Sequence, residues 1–201
     1  MRSDRASRRR GAMAWLLFAI GVACLARYGW MQLEIQRLES ENQRAVTRML
    51  AERDGPRAVD EPPALVESDP GLVGELDIPR LHFSAAVRAG EDDGVLDASV
   101  GHLTDTALPW EAGNSVLAAH RDRLFRPLEK IHVGDDIWLF TRHGDFQYRV
   151  SRTFVVNPGD VWVLDPSPDV ELTLITCYPF VYVGHAPHRF VVRAHKVSVT
   201  D

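Results

Sequence analysis

The 201-residue chain carries 23 Lys and Arg against 28 Asp and Glu, a formal net charge of −5. Its first 11 residues, MRSDRASRRRG, hold five arginines and one aspartate, so without this +4 leader residues 12–201 carry −9. An acidic body of that kind has no electrostatic case for binding nucleic acid.

Ala12–Ala26 reads AMAWLLFAIGVACLA and is free of charge. Arg27 interrupts it before YGWM. A spanning helix needs roughly 20 apolar residues, and a signal-peptide core about 7–15. Two features favour a retained anchor. Arg27 can snorkel to the headgroups beside Tyr28 and Trp30, and VACLARYGW makes a poor cleavage site. The basic leader then stays in the cytoplasm and the remainder is exported, a single-pass protein of the cell membrane. Met31–Arg53 is rich in Glu, Gln, Arg, Leu and Ala at helical spacing and reads as a stalk helix. The Pro- and acid-rich run after it is a linker. The expected organisation is a basic tail at 1–11, a transmembrane signal-anchor at 12–32, a helical stalk and linker at 33–70, and an exported domain at 71–201.

From Gly71 the pattern changes to short alternating segments: LVGELDI, LHFSAAVR, NSVLAAH, DDIWLFTR, DFQYRVSRTFVV, ELTLITC and RFVVRAHKVSV. Turn signals at HGD, NPGD and DPSPD separate them. Only short helical pieces fit between, such as Asp122–Ile131. The domain is therefore expected to be a single all-β sandwich or barrel, long enough to bury a sizeable core.

Of the two cysteines, Cys24 lies in the apolar stretch, where GVAC is an imperfect lipobox, and reads as membrane filler. Cys177 is the one cysteine of the exported region, at the end of the strand LTLITC. It is either a small buried residue or a nucleophile. An unpaired thiol outside the cytoplasm is an oxidation risk, which favours the reactive reading. A thiol nucleophile needs a base, and acyl transfer needs a donor for the oxyanion. Among eight histidines, His102, His132 and His143 lie in polar turns and are expected to be solvated. His82 and His195 fall in strands, and His185 lies in a loop. His120 ends one apolar strand and His188 opens the last one, so spacing leaves both open as the base. Arg189 and Arg193 share that last strand. No His/Cys cluster has metal-ligand spacing; the acids of EDD (Glu91–Asp93) are at most a faint hint of calcium. No cofactor is expected.

LTLITCYPF resembles the TLxTC signature of the sortases, membrane-anchored cysteine transpeptidases of bacterial surfaces. GELDIP resembles their opening strand, GHLTDTALPWEAGNSVLAAHRDRLFRPLEKIHVGDDI the segment holding their histidine, and HRFVVRAHKV the strand holding their arginine. AHRD…FRPL and TCYPF are most similar to the class D-like group, where GHRD…FRPL and TCYPF are typical. This resemblance implies a closed β-barrel of about eight strands with short helices. It assigns the general acid/base to His120, the nucleophile to Cys177 and the oxyanion stabiliser to Arg189. One departure is Ala119, where many members have glycine. The implied reaction cleaves an LPxTG-like sorting motif of exported proteins through a thioacyl intermediate and passes the product to an amine acceptor at the cell surface. A cysteine hydrolase with the same three residues is the alternative. An L,D-transpeptidase would need a Ser-x-Gly-Cys-type motif that LITCYPF lacks, and a binding module would leave the three residues without a purpose.

Overall fold

The computed structural model describes residues 3–54, 69 and 71–197. The expected linker and the extreme N-terminus lie almost wholly outside them. Two compact units result, residues 1–38 and 39–201.

Helix α1 runs Ser3–Asp54. In the first unit Leu16, Leu17, Phe18 and Ile20 are more than half exposed. The helix is long and apolar enough to cross a membrane. Its last turns belong to the second unit, where Val46 and Met49 are buried against Leu72 and Ala86.

Eight strands close the second unit into a barrel: β1 (Leu72–Ile78), β2 (Phe83–Ala89), β3 (Val100–His102), β4 (Asn114–Ala118), β5 (Asp136–Thr141), β6 (Gly144–Val156), β7 (Glu171–Tyr178) and β8 (His188–Lys196). The order around the barrel is β1-β2-β3-β4-β7-β8-β6-β5, with β5 returning to β1. All neighbours are antiparallel except β2–β3 and β4–β7. Both parallel steps need a crossover, since a tight hairpin cannot join parallel strands. The short helix α2 (Asp93–Leu96) lies in the first crossover. The second, from β4 to β7, contains the β5–β6 hairpin. At its tip Gly144 has φ 133°, a conformation that disfavours a side chain.

The strands alternate because one face fills the barrel. Leu172 and Leu174 of β7, Leu117 of β4, Val192 and Ala194 of β8 and Tyr148 of β6 meet in one core. The Tyr148 hydroxyl donates to Pro109 O at 3.1 Å, so this buried phenol is satisfied. The expected helical piece at 122–131 forms turns and a 3₁₀ helix, Arg126–Lys130.

Two histidines stand differently from their expected settings. His102 is 2% exposed, not solvated. It lies on β3, between β2 and β4, and its Nε2 is 2.9 Å from Ala107 O. Gly101 permits this placement, since a Cβ there would sit 2.3 Å from Gly90 O. His82 precedes β2 in a left-handed cap with φ 49° and is outside any strand.

Candidate active site

Leu172, Leu174 and Thr176 point into the barrel, so Thr173, Ile175 and Cys177 line the outer face of β7. The lower part of that face is covered. A 3₁₀ turn, Val161–Leu164, buries Val163 there. Asn114 Nδ2 donates to the carbonyls of Val163 and Asp165 at 3.0 and 3.2 Å, and Thr173 Oγ1 donates to Asn114 Oδ1 at 2.6 Å. Arg193 donates to Val163 O at 3.1 Å and pairs with Glu171 at 2.6 Å. Beyond this clamp Ala118, Ile175 and Cys177 are only half-buried.

The strand directions bring Cys177, His120 and Arg189 to one end of the barrel. β4 and β7 run parallel with Ala118 opposite Ile175. Ala119 N then donates to Ile175 O at 3.4 Å, and Thr176 Oγ1 donates to Ala119 O at 2.7 Å. His120 therefore leaves β4 level with Cys177. On the other side β8 runs antiparallel, with Arg189 as the Cα partner of Cys177 and His188 opposite Tyr178. The departure at Ala119 is accommodated, because the residue is 6% exposed and packs within the core. Cys177 is a free thiol, half-buried.

The His120 side chain is 36% exposed, and its Nε2 lies 3.8 Å from Asp97 Oδ1. The Arg189 guanidinium uses one nitrogen to donate to His188 O at 3.0 Å and Ala186 O at 3.4 Å. An arginine has five N–H donors, so others remain to meet an oxyanion. Arg121 and Arg126 hold the loop between β7 and β8. Arg121 donates to the carbonyls of Tyr182 and Gly184, and Arg126 to Phe180 O at 2.7 Å. Val181 and Val183 in this loop are exposed. Asp92 of the EDD run is used in a local cap, accepting from Gly94 N and Val95 N at the start of α2.

Asp97 and Thr176, which meet the His120 side chain and the carbonyl just before it, have no assigned part in the sequence reading. Asp97 lies in a separate segment, VLDASVGH, and nothing in its spacing relates it to His120. Thr176 belongs to the quoted signature, but its bond to Ala119 O depends on the parallel β4–β7 pairing.

The geometry corresponds to known proteins. The sequence model described as the sortase domain matches residues 76–197. Sortase D of Bacillus subtilis (strain 168) is 36% identical over 126 residues, 62% of this chain and 64% of that protein. The chain thus spans less than two thirds of that relative. Sortase A of Bacillus anthracis is 25% identical over 200 residues, 92% of this chain and 93% of its own length. Among solved structures, a Clostridium perfringens Sortase D5 transpeptidase superposes with a TM-score of 0.64 at 25% identity, covering 79% of this chain and 99% of that one. Sortase C1 from Streptococcus suis gives 0.60 at 31% identity, covering 65% and 75%. This chain belongs to the sortase family, and the relatives it resembles include class D members.

Proposed function

We propose that the protein is a membrane-anchored cysteine transpeptidase that cleaves an LPxTG-like sorting motif and transfers the released acyl group to an amine at the cell surface. The observation that carries this reading is the meeting of β4, β7 and β8 at one barrel end, with His120, Cys177 and Arg189 on adjacent strand termini. Cys177 gives its thiol proton to His120, and its sulfur attacks the carbonyl carbon of the motif threonine. The carbonyl oxygen gains the negative charge, and the Arg189 guanidinium donates to it. When the C–N bond breaks, His120 gives its proton to the leaving amine and a thioester remains on Cys177. The acceptor amine attacks that thioester, His120 takes its proton, and the thiolate leaves. A thioester suits transfer because amines attack it readily.

The apolar part of α1 and the basic leader support an anchor with the N-terminus in the cytoplasm and residues 39–201 outside. Protease added to intact cells would then digest the barrel and spare the leader.

The histidine assignment is tested directly because His120 and His188 both stand beside the thiol strand. With an LPxTG-like peptide and an added amine, His120→Ala abolishes transfer and His188→Ala keeps most of it. Equal losses would overturn the assignment. A product bearing water in place of the amine at all amine concentrations would make the protein a hydrolase.

A further inference from the structure

We infer that Asp97, held by Arg123, is a positioning residue for the His120 imidazole during acylation, an inference that rests on His120 being the acid/base. Asp97 follows α2, where its own N–H donates to Asp93 O. Arg123 grips it twice, with one guanidinium nitrogen 2.9 Å from Asp97 O and 3.2 Å from Oδ1. Arg123 shares the turn that begins at His120: Arg123 N and Phe125 N both donate to His120 O, at 3.3 and 3.1 Å. The carboxylate is thus fixed to the turn that carries the imidazole, and its Oδ1 lies 3.8 Å from Nε2.

This placement selects between the two ring nitrogens. A carboxylate beside Nε2 favours a proton on that nitrogen, which leaves Nδ1 to exchange protons with the thiol and the substrate amine. The arrangement is that of a base oriented by a third group. At 3.8 Å the contact is longer than a hydrogen bond. Both side chains reach solvent, and Arg123 draws on the same carboxylate oxygen. The effect is therefore smaller than that of a buried triad aspartate. Three other charged groups at this end are placed otherwise: Arg189 stands across β7 from His120, Arg121 is bonded to the 182 and 184 carbonyls, and Arg126 to Phe180 O.

The test uses the full-length protein in detergent micelles with an LPxTG-like peptide and single-turnover detection of the thioester. Asp97→Asn and Asp97→Ala are expected to slow acylation roughly three- to tenfold, with KM changed less than about twofold. Asp97→Glu recovers most of the rate. The ¹⁵N resonances of His120 move from the Nε2–H tautomer toward a mixture in Asp97→Asn, a change that loss of packing alone does not produce. Unchanged thermal midpoints accompany these results, as Asp97 is half exposed. A wild-type rate and an unaltered tautomer in Asp97→Asn would overturn the inference. Activity surviving in His120→Ala would instead remove the assignment of His120, so the two failures are distinguishable.

Discussion

Cys177 and Arg189 are Cα partners across the antiparallel β7–β8 pair, and Thr173 and Arg193 are partners four residues lower on the same face. The two arginines have different surroundings. Arg189 is half-buried at the strand end, whereas Arg193 is 6% exposed beneath the 161–164 turn. Arg189→Ala is expected to lower the rate of thioester formation at least about 100-fold, the usual scale for losing an oxyanion donor, with a much smaller change in substrate affinity. Arg189→Lys keeps the charge but loses the planar fork, so it restores only part of the rate. Loss of binding alone in Arg189→Ala would make the residue a substrate clamp.

Arg193 looks like a bystander in the sequence, four residues beyond Arg189 on the same strand. The structure gives it work of another kind, since it pairs with Glu171 and holds Val163 O. Arg193→Ala removes the close partner of Glu171, whose side chain is 13% exposed, and leaves His195 Nδ1 at 3.4 Å. The expected loss is about 3 kcal/mol of stability, read as a lower midpoint in urea. Activity falls with the folded fraction and with the position of the 161–164 turn, so Arg193→Ala is a poor control for charge.

Thr176 links the strand of Cys177 to the segment that carries His120. Its hydroxyl donates inside the barrel to the carbonyl just before His120. Thr176→Val keeps the shape and removes the donor, leaving a buried carbonyl short of a partner. The expected cost is roughly 1–3 kcal/mol, together with slower acylation as His120 loses its fixed exit from β4. Thr176→Ser restores the donor and most of both. A full rate in Thr176→Val would show that the backbone pairing alone sets His120.

How much of this was legible follows from which contacts are local. Short alternating segments bounded by turn signals located β1, β2, β4, β5, β6, β7 and β8, each five residues or longer. β3, with three residues, is too short to show a period. His102 therefore read as part of a polar turn, although pairing on both sides buries it. Strand ends drew attention to Cys177, but alternation says nothing of strand order. That is why His120 and His188 were inseparable by spacing: the parallel β4–β7 pair and the antiparallel β7–β8 pair bring both beside the thiol strand. The burial of Arg193 and the approach of Asp97 depend on segments distant in the chain.

Acid stability has a local source in Asp135. Its carboxylate takes a two-pronged contact from Arg80, 2.6 Å at one oxygen, and also accepts from His132 N at 2.8 Å. The Arg80 hydrogen bonds hold its pKa below the ordinary value of 3.8, against the opposing effect of burial. A carboxyl lowered on folding stabilises the fold above its unfolded pKa, and that contribution disappears as pH falls through the lower folded value. Arg80→Ala is expected to move the acid-unfolding midpoint upward while altering stability at pH 3 less than at pH 7. An identical acid profile in the variant would exclude this pair as a contributor.

The last turns of α1 bear on where a stable fragment containing the barrel begins. Val46 and Met49 are 1% and 6% exposed, packed with Leu72 and Ala86. Asn42 Nδ2 donates to Ala98 O at 3.0 Å, and Arg53 bonds to Thr141 O at 3.2 Å and pairs with Asp145. Burying an aliphatic side chain of this size contributes about 1.5–3 kcal/mol, offset in part by the entropy of ordering the helix. A fragment starting at Glu39 should therefore melt at least about 5 °C above one starting at Gly71. Met49→Lys in the longer fragment would place a charge in the apolar contact and bring its midpoint down to that of the shorter one. Chemistry at Cys177 is not expected to need the helix contact through Val46 and Met49, so both fragments should react with an alkylating agent at one site. Equal midpoints for the two fragments would mean that the barrel alone accounts for the stability.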